Sequence, residues 1–187
     1  QIEYVREGRW ITTSRNKHLA THGLDSTLLN VLERMTSERR IFVGFTRAVV
    51  IDDDGDKYSY NAHPSYHDAP WYDWAYVHFE ETDSNGVVTE RYYPAKILGF
   101  VNLDKTTEAV IHCTDKPLSW SSVEKHFMVK VNLGQDETVS VVTVPLTSFV
   151  HPLCVVPDYG GNVTSYIVVL PRRNWSRYFA DQIVLES

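Results

Sequence analysis

Trp74-Ala75-Tyr76-Val77-His78-Phe79-Glu80-Glu81-Thr82-Asp83-Ser84-Asn85-Gly86-Val87-Val88-Thr89-Glu90-Arg91-Tyr92-Tyr93-Pro94-Ala95-Lys96-Ile97-Leu98 places aromatic and β-branched residues on both sides of an Asn-Gly pair. Asn and Gly tolerate the positive φ of a tight hairpin turn, so this stretch predicts residues 74 to 81 folded back on residues 87 to 98 as antiparallel strands.

Working outward, residues 41 to 51 are β-branched and aromatic. The acidic turn 52 to 56 then leads into Lys57-Tyr58-Ser59-Tyr60. Further strand-like runs fall at residues 109 to 113, 127 to 133, 138 to 144, 154 to 156 and 165 to 170. Short strands at such regular spacing predict a mainly β, antiparallel, barrel-like domain over residues 41 to 187. Residues 1 to 40 read as an extension with one helix, and Trp10-Ile11-Thr12-Thr13 is its one strand-like piece. Asp25 or Ser26 caps that helix, which is expected to reach about residue 40. Leu28, Leu29, Leu32 and Met35 lie at helical spacing, and Arg39 and Arg40 suit the C-terminal end. A second short helix is expected after Asn174, with Trp175, Tyr178 and Phe179 facing inward.

The 187 residues are 43% hydrophobic and 22% charged, the composition of a globular domain with a real core. No run approaches the roughly 18 apolar residues of a membrane span, so no membrane partner is expected. The opening Gln1-Ile2-Glu3-Tyr4 is neither an initiator methionine nor a signal peptide, which points to a piece of a longer chain. A net charge of −6, with acids grouped at 52 to 56, 80 to 83 and 136 to 137, favours a basic or neutral partner over duplex DNA. Arg172, Arg173 and Arg177 form the one basic group. They read either as a solvated face or as an accessory nucleic-acid contact.

Several chemical signatures fail on spacing. Setting Gly55 as the glycine of a calcium loop puts Val50 at the first ligand position and Asn61 at the last, where acids are needed. His112, Cys113, His151 and Cys154 lack the paired spacing of a zinc site, and neighbours on a strand point to opposite faces. Cys113 and Cys154 are expected as free, buried thiols, and the reading is intracellular. The phosphate-binding glycine loop, GxSxG elbow and HExxH motif are all missing. The expectation is a non-catalytic protein without a cofactor.

The aromatic run Trp71-Tyr72-Asp73-Trp74-Ala75-Tyr76 carries the main functional question. Ring faces attract ammonium groups, and large rings also fill cores. Strict alternation puts Trp71, Asp73 and Ala75 on one face and Tyr72, Trp74 and Tyr76 on the other. Trp71, Tyr72, Asp73, Trp74, Tyr76 and Tyr93 are the candidate ligand-binding residues, with Asp68 and Glu80 as additional carboxylates.

Trp74-Ala75-Tyr76-Val77 followed by Tyr93-Pro94-Ala95-Lys96-Ile97-Leu98 is similar to paired strands of Tudor, PWWP and bromo-adjacent homology (BAH) domains. The run Val144-Pro145-Leu146-Thr147-Ser148-Phe149-Val150-His151-Pro152-Leu153-Cys154-Val155-Val156 resembles the closing part of a BAH barrel. His63-Pro64-Ser65-Tyr66 with Pro70-Trp71-Tyr72-Asp73-Trp74 also resembles an uncharacterised β-domain of mobile-element reading frames. These resemblances imply a nuclear interaction module that binds a basic peptide or a methylated histone tail. The alternatives are an assembly domain of a larger mobile-element protein or a nucleic-acid-contacting accessory domain.

Overall fold

The computed structural model describes residues 3–13, 26–34, 41–51, 55–67, 69–103, 106–118, 128–160 and 164–170. Eleven strands among them make one mainly antiparallel sheet: β1 (Glu3–Thr13), β2 (Ile41–Ile51), β3 (Lys57–Tyr66), β4 (Ala69–Tyr72), β5 (Trp74–Thr82), β6 (Val88–Leu103), β7 (Thr106–Cys113), β8 (Met128–Asn132), β9 (Val141–Pro145), β10 (Phe149–Pro157) and β11 (Ser165–Val169). The main path runs β4-β3-β2-β6-β5-β10-β11-β8, with β1 on β2 and β7 between β6 and β9. The ends of this path do not pair with each other, so the sheet curls without closing into a barrel.

The central hairpin forms as its sequence predicts. Asp83 N donates to Val87 O at 3.0 Å, Gly86 N donates to Asp83 O at 3.0 Å, and Gly86 takes φ +80°. The Asp83 carboxylate also accepts from the Asn85 and Val87 amides, which locks the turn against the register Thr82↔Val88. Strand β6 is long enough to serve three neighbours. Residues 88 to 96 pair with β5, residues 100 to 102 pair with β2 on the same edge, and residues 95 to 103 pair with β7 on the opposite edge. Leu98 is inserted between the pairs Ile97↔Ile111 and Gly99↔Val110, a bulge that bends the strand and shifts its inward phase. Ile97 and Phe100 therefore enter the same core, while Leu98 and Val101 turn to the helix side.

Among the described residues three apolar clusters result. The first lies inside the curl and contains Tyr60, Ala75, Val77, Ala95, Ile97, Phe100, Ile111 and Leu146. The second, on the other face of the β5–β6 pair, joins Trp74 and Tyr76 to Leu133, Leu153 and Val168 from β8, β10 and β11 and their flanks. The third buries the face of helix α1 (Ser26–Arg34) against Phe42, Leu98, Val101 and Val110. Leu28, Val31 and Leu32 make the buried stripe, and each contributes about 1.5–3 kcal/mol by leaving water. Val31 takes the place expected for Leu29, and residues 35 to 40, where the helix was expected to continue, lie outside the described residues.

Two expectations change. The N-terminal segment is built into the sheet: β1 pairs with β2 from Glu3↔Ile51 to Thr13↔Ile41, well beyond the short piece at residues 10 to 13. The strand expected from residue 138 instead begins as a one-turn helix, α2 (Glu137–Ser140), because the Asp136 carboxylate accepts from the Thr138 amide and hydroxyl and caps it. The helix expected after Asn174 lies outside the described residues.

Candidate functional site

The aromatic run divides at Asp73, and this break decides which rings meet. Strand pairing lapses there between β4 and β5. Asp73 N donates to Asn61 O at 2.8 Å, and Asp73 O accepts from Ile97 N at 2.9 Å, so one residue stitches β3 to β6. Its carboxylate accepts from Asn61 N at 2.7 Å, Asn61 Nδ2 at 2.9 Å and Trp71 Nε1 at 2.7 Å. The interruption resets the alternation. Tyr72 packs against the inner cluster, whereas Trp74 and Tyr76 enter the second cluster. The expectation that Tyr72, Trp74 and Tyr76 share a face is therefore corrected, because alternation holds only along uninterrupted strand.

The six candidate aromatic and acidic residues are divided between two clusters and the surface. Trp74 and Tyr76 are 5% and 0% exposed; Trp74 packs on Tyr166 with ring centroids 4.7 Å apart, and Tyr76 stacks on Tyr92 at 5.4 Å. Burial first, and Tyr92 second, hold the Tyr76 phenol well above the usual tyrosine range. Trp71 is 45% exposed on the outside of the sheet. Tyr72 already lies under an internal cation, with Lys96 Nζ 4.8 Å from its ring centroid. Asp68 and Arg172, Arg173 and Arg177 lie outside the described residues.

Tyr93 borders a cleft that has a volume of about 500 Å³. Unbroken alternation from Trp74 onward sends Val77, Phe79 and Glu81 of β5 to the face that carries Tyr93 of β6. The Phe79 and Tyr93 rings meet edge to face, with centroids 5.6 Å apart and planes at 87°. Tyr93 Oη donates to Glu81 Oε1 at 3.0 Å, and Arg91 Nε stands 3.8 Å from Glu81 Oε2. Burial, then the bond to Glu81, pushes the Tyr93 phenol up to about 12.

The opposite wall comes from the end of β7 and the turn before α2. Cys113, Thr114 and Asp115 face Gly134, Gln135 and Asp136, with Val139, Ser140 and Val142 completing the apolar side. Gly134 N donates to Cys113 O at 2.9 Å, Asp115 N donates to Asn132 O at 2.9 Å, and the His112 ring nitrogen Nε2 lies 2.8 Å from Gly134 O. A Cβ on Gly134 would stand 2.4 Å from the Ser140 Cβ, so only glycine lets α2 fold back over this wall. Hydrogen bonds from the Thr138 hydroxyl and amide hold the Asp136 carboxyl below the usual carboxylate range. Cys113 is buried, its thiol pushed up to about 12 by burial, and is no nucleophile near neutrality. Both cysteines are free, but Cys154 is exposed rather than buried, because it points outward from β10.

Chemically, the cleft offers two ring surfaces set at right angles, apolar walls and three acidic side chains: Glu81, Asp115 and Asp136. That combination suits an organic cation whose charge meets carboxylates while its carbon stem lies on rings. Among the described residues, no group of three or more His, Cys, Asp or Glu side chains is placed to hold a metal ion, and no helix is long and apolar enough to cross a membrane. Phe79 and Glu81 were not among the candidate aromatic and acidic residues. Carrying the alternation past Tyr76 into the hairpin would have found them. Asp115 and Asp136 had no such signal, since only tertiary packing brings their loops to β5. Comparison of the chain with protein-family models, with curated proteins and with solved structures finds no match in any of the three.

Proposed function

We propose that this protein is a non-catalytic interaction module that takes a basic side chain of a peptide into the cleft between β5, β6 and the α2 turn. The observation that carries the reading is the edge-to-face pair Phe79–Tyr93 opening onto Glu81, Asp115 and Asp136. A cation between ring faces and carboxylates is favoured by about 0.5–2 kcal/mol per ring contact, most where water is excluded. The net charge of −6 adds a long-range attraction for a basic segment. The geometry does not demand methylation: Glu81 and Asp136 are acceptors that an unmodified ammonium would use fully.

The alternative of an assembly domain that keeps its aromatics internal is supported by the burial of Trp74 and Tyr76, but Trp71 is exposed and Tyr72 half-buried. Titration with lysine-bearing peptides, histone-tail sequences with and without methylation among them, tests the main reading. The expected result is measurable affinity for the native protein and its loss in both Phe79→Ala and Glu81→Gln. No binding tighter than millimolar to any of them would sink it.

A further inference from the structure

Beside the cleft, strand β5 runs past its neighbour. β10 covers it only from Trp74 to Val77, whereas the hairpin continues to Thr82↔Val88. Pro94 sets the phase of the backbone here. Its carbonyl accepts from Thr114 N, away from β5, and so does that of Tyr92 from Leu118 N. Their cross-strand partners Tyr76 and His78 must likewise direct their peptide groups away from β6. The pair Phe149↔Val77 then engages the His78 amide with the residue before Phe149, and beyond it the amides and carbonyls of Glu80 and Thr82 line an edge that has no backbone partner among the described residues.

Both faces of this arm are acidic. On the cleft side stands Glu81, countered by Arg91 at 3.8 Å. On the other side Glu80 lies directly opposite Glu90 in the register, a like-charge pairing that destabilises a sheet unless a cation meets it. His78 Nε2 is 3.9 Å from Glu90 Oε1, too long for a hydrogen bond, and Tyr92 donates to Glu90 Oε2 at 3.3 Å.

We infer that the partner is an extended segment bearing two adjacent basic residues, which adds as a new strand to the β5 edge at Glu80 and Thr82. Successive side chains of a strand point to opposite faces. One of two neighbouring basic residues then reaches Glu81 and the cleft, while the next reaches Glu80 and Glu90. Main-chain hydrogen bonds supply the docking and the two acidic faces supply the selectivity. This deepens the cleft reading and rests on it for one of the two basic side chains.

Short synthetic peptides with the core Val-Lys-Arg-Val, and with the same residues reordered as Lys-Val-Arg-Val so that both charges share a face, provide the test. The adjacent-basic peptide is expected to bind about tenfold more tightly, the effect of one charge-assisted contact. Glu80→Gln with Glu90→Gln should remove that preference while leaving affinity for the reordered peptide unchanged. N-methylating one alternate set of peptide amides should abolish binding, and N-methylating the other set should be tolerated. Equal binding of both N-methylated peptides, or no preference for adjacent basic residues, overturns strand addition yet leaves the cleft reading standing if Glu81→Gln still weakens binding. Binding indifferent to Glu81→Gln, or no binding by any peptide, overturns both.

Discussion

At the scale of the residue, Trp71 and Trp74 are three positions apart and have different roles. Trp74 is 5% exposed within the second cluster, so Trp74→Ala should cost about 3–5 kcal/mol, as truncating a buried aromatic does. Trp71 is 45% exposed and donates a hydrogen bond to Asp73, so Trp71→Ala should cost about 0.5–1.5 kcal/mol, less than the change at Trp74. Urea unfolding of the two variants side by side checks the ratio. Tyr93 makes a separate prediction about pH. Its phenol sits at about 12 in the folded protein against an ordinary value of 10.0, so in that interval the folded state keeps a proton the unfolded chain has released. Stability from this group is full below the ordinary value and is lost as pH rises through about 12. Stability measured by urea unfolding across the alkaline range should therefore fall less steeply in Tyr93→Phe than in the native protein.

At the scale of the element, the wall of the cleft depends on a backbone approach. Gly134 lies where a Cβ would press into Ser140. Ser140 is itself anchored, its hydroxyl donating to Asp136 O at 2.7 Å and Gly134 O at 3.2 Å, so the helix cannot yield cheaply. Gly134→Ala should cost about 1–3 kcal/mol by overpacking and should displace α2 from the cleft. Thermal melting reads the first effect, and peptide titration of the folded fraction reads the second. The hairpin opposite is the element most legible from sequence: Asn85-Gly86 marks its turn, and alternation places Phe79 and Glu81 once the strand is known to be continuous. That its outer part extends beyond β10 is not local information, because β10 stops pairing at Val77 only in the assembled sheet.

At the scale of the whole molecule, the sheet shields one of its strands with its own N-terminal segment. β1 pairs with β2 through ten register positions. Deleting residues 3–13 would leave that edge of β2 bare, and long unpaired edges template association with other chains. The truncated protein should elute from size exclusion as dimers and larger species at concentrations where the full chain does not; a monodisperse monomer would contradict the shielding.

The mainly antiparallel β class, the β5–β6 hairpin, the β2–β3 hairpin and the apolar stripe of α1 were legible because each rests on near-neighbour chemistry: side-chain period and turn residues. The membership of the site was not. Asp73 joins Asn61 to Ile97 through its backbone, and this long-range stitch ends the alternation that would have put Tyr72 beside Trp74. Asp115 and Asp136 reach the cleft only because β7 and the α2 turn fold back beside the hairpin. A sequence specifies periodicity within a strand. Which strands lie together, and where one stops pairing, follows from the joint satisfaction of backbone hydrogen bonds and the burial of rings across the whole sheet, so it was decided by the tertiary structure.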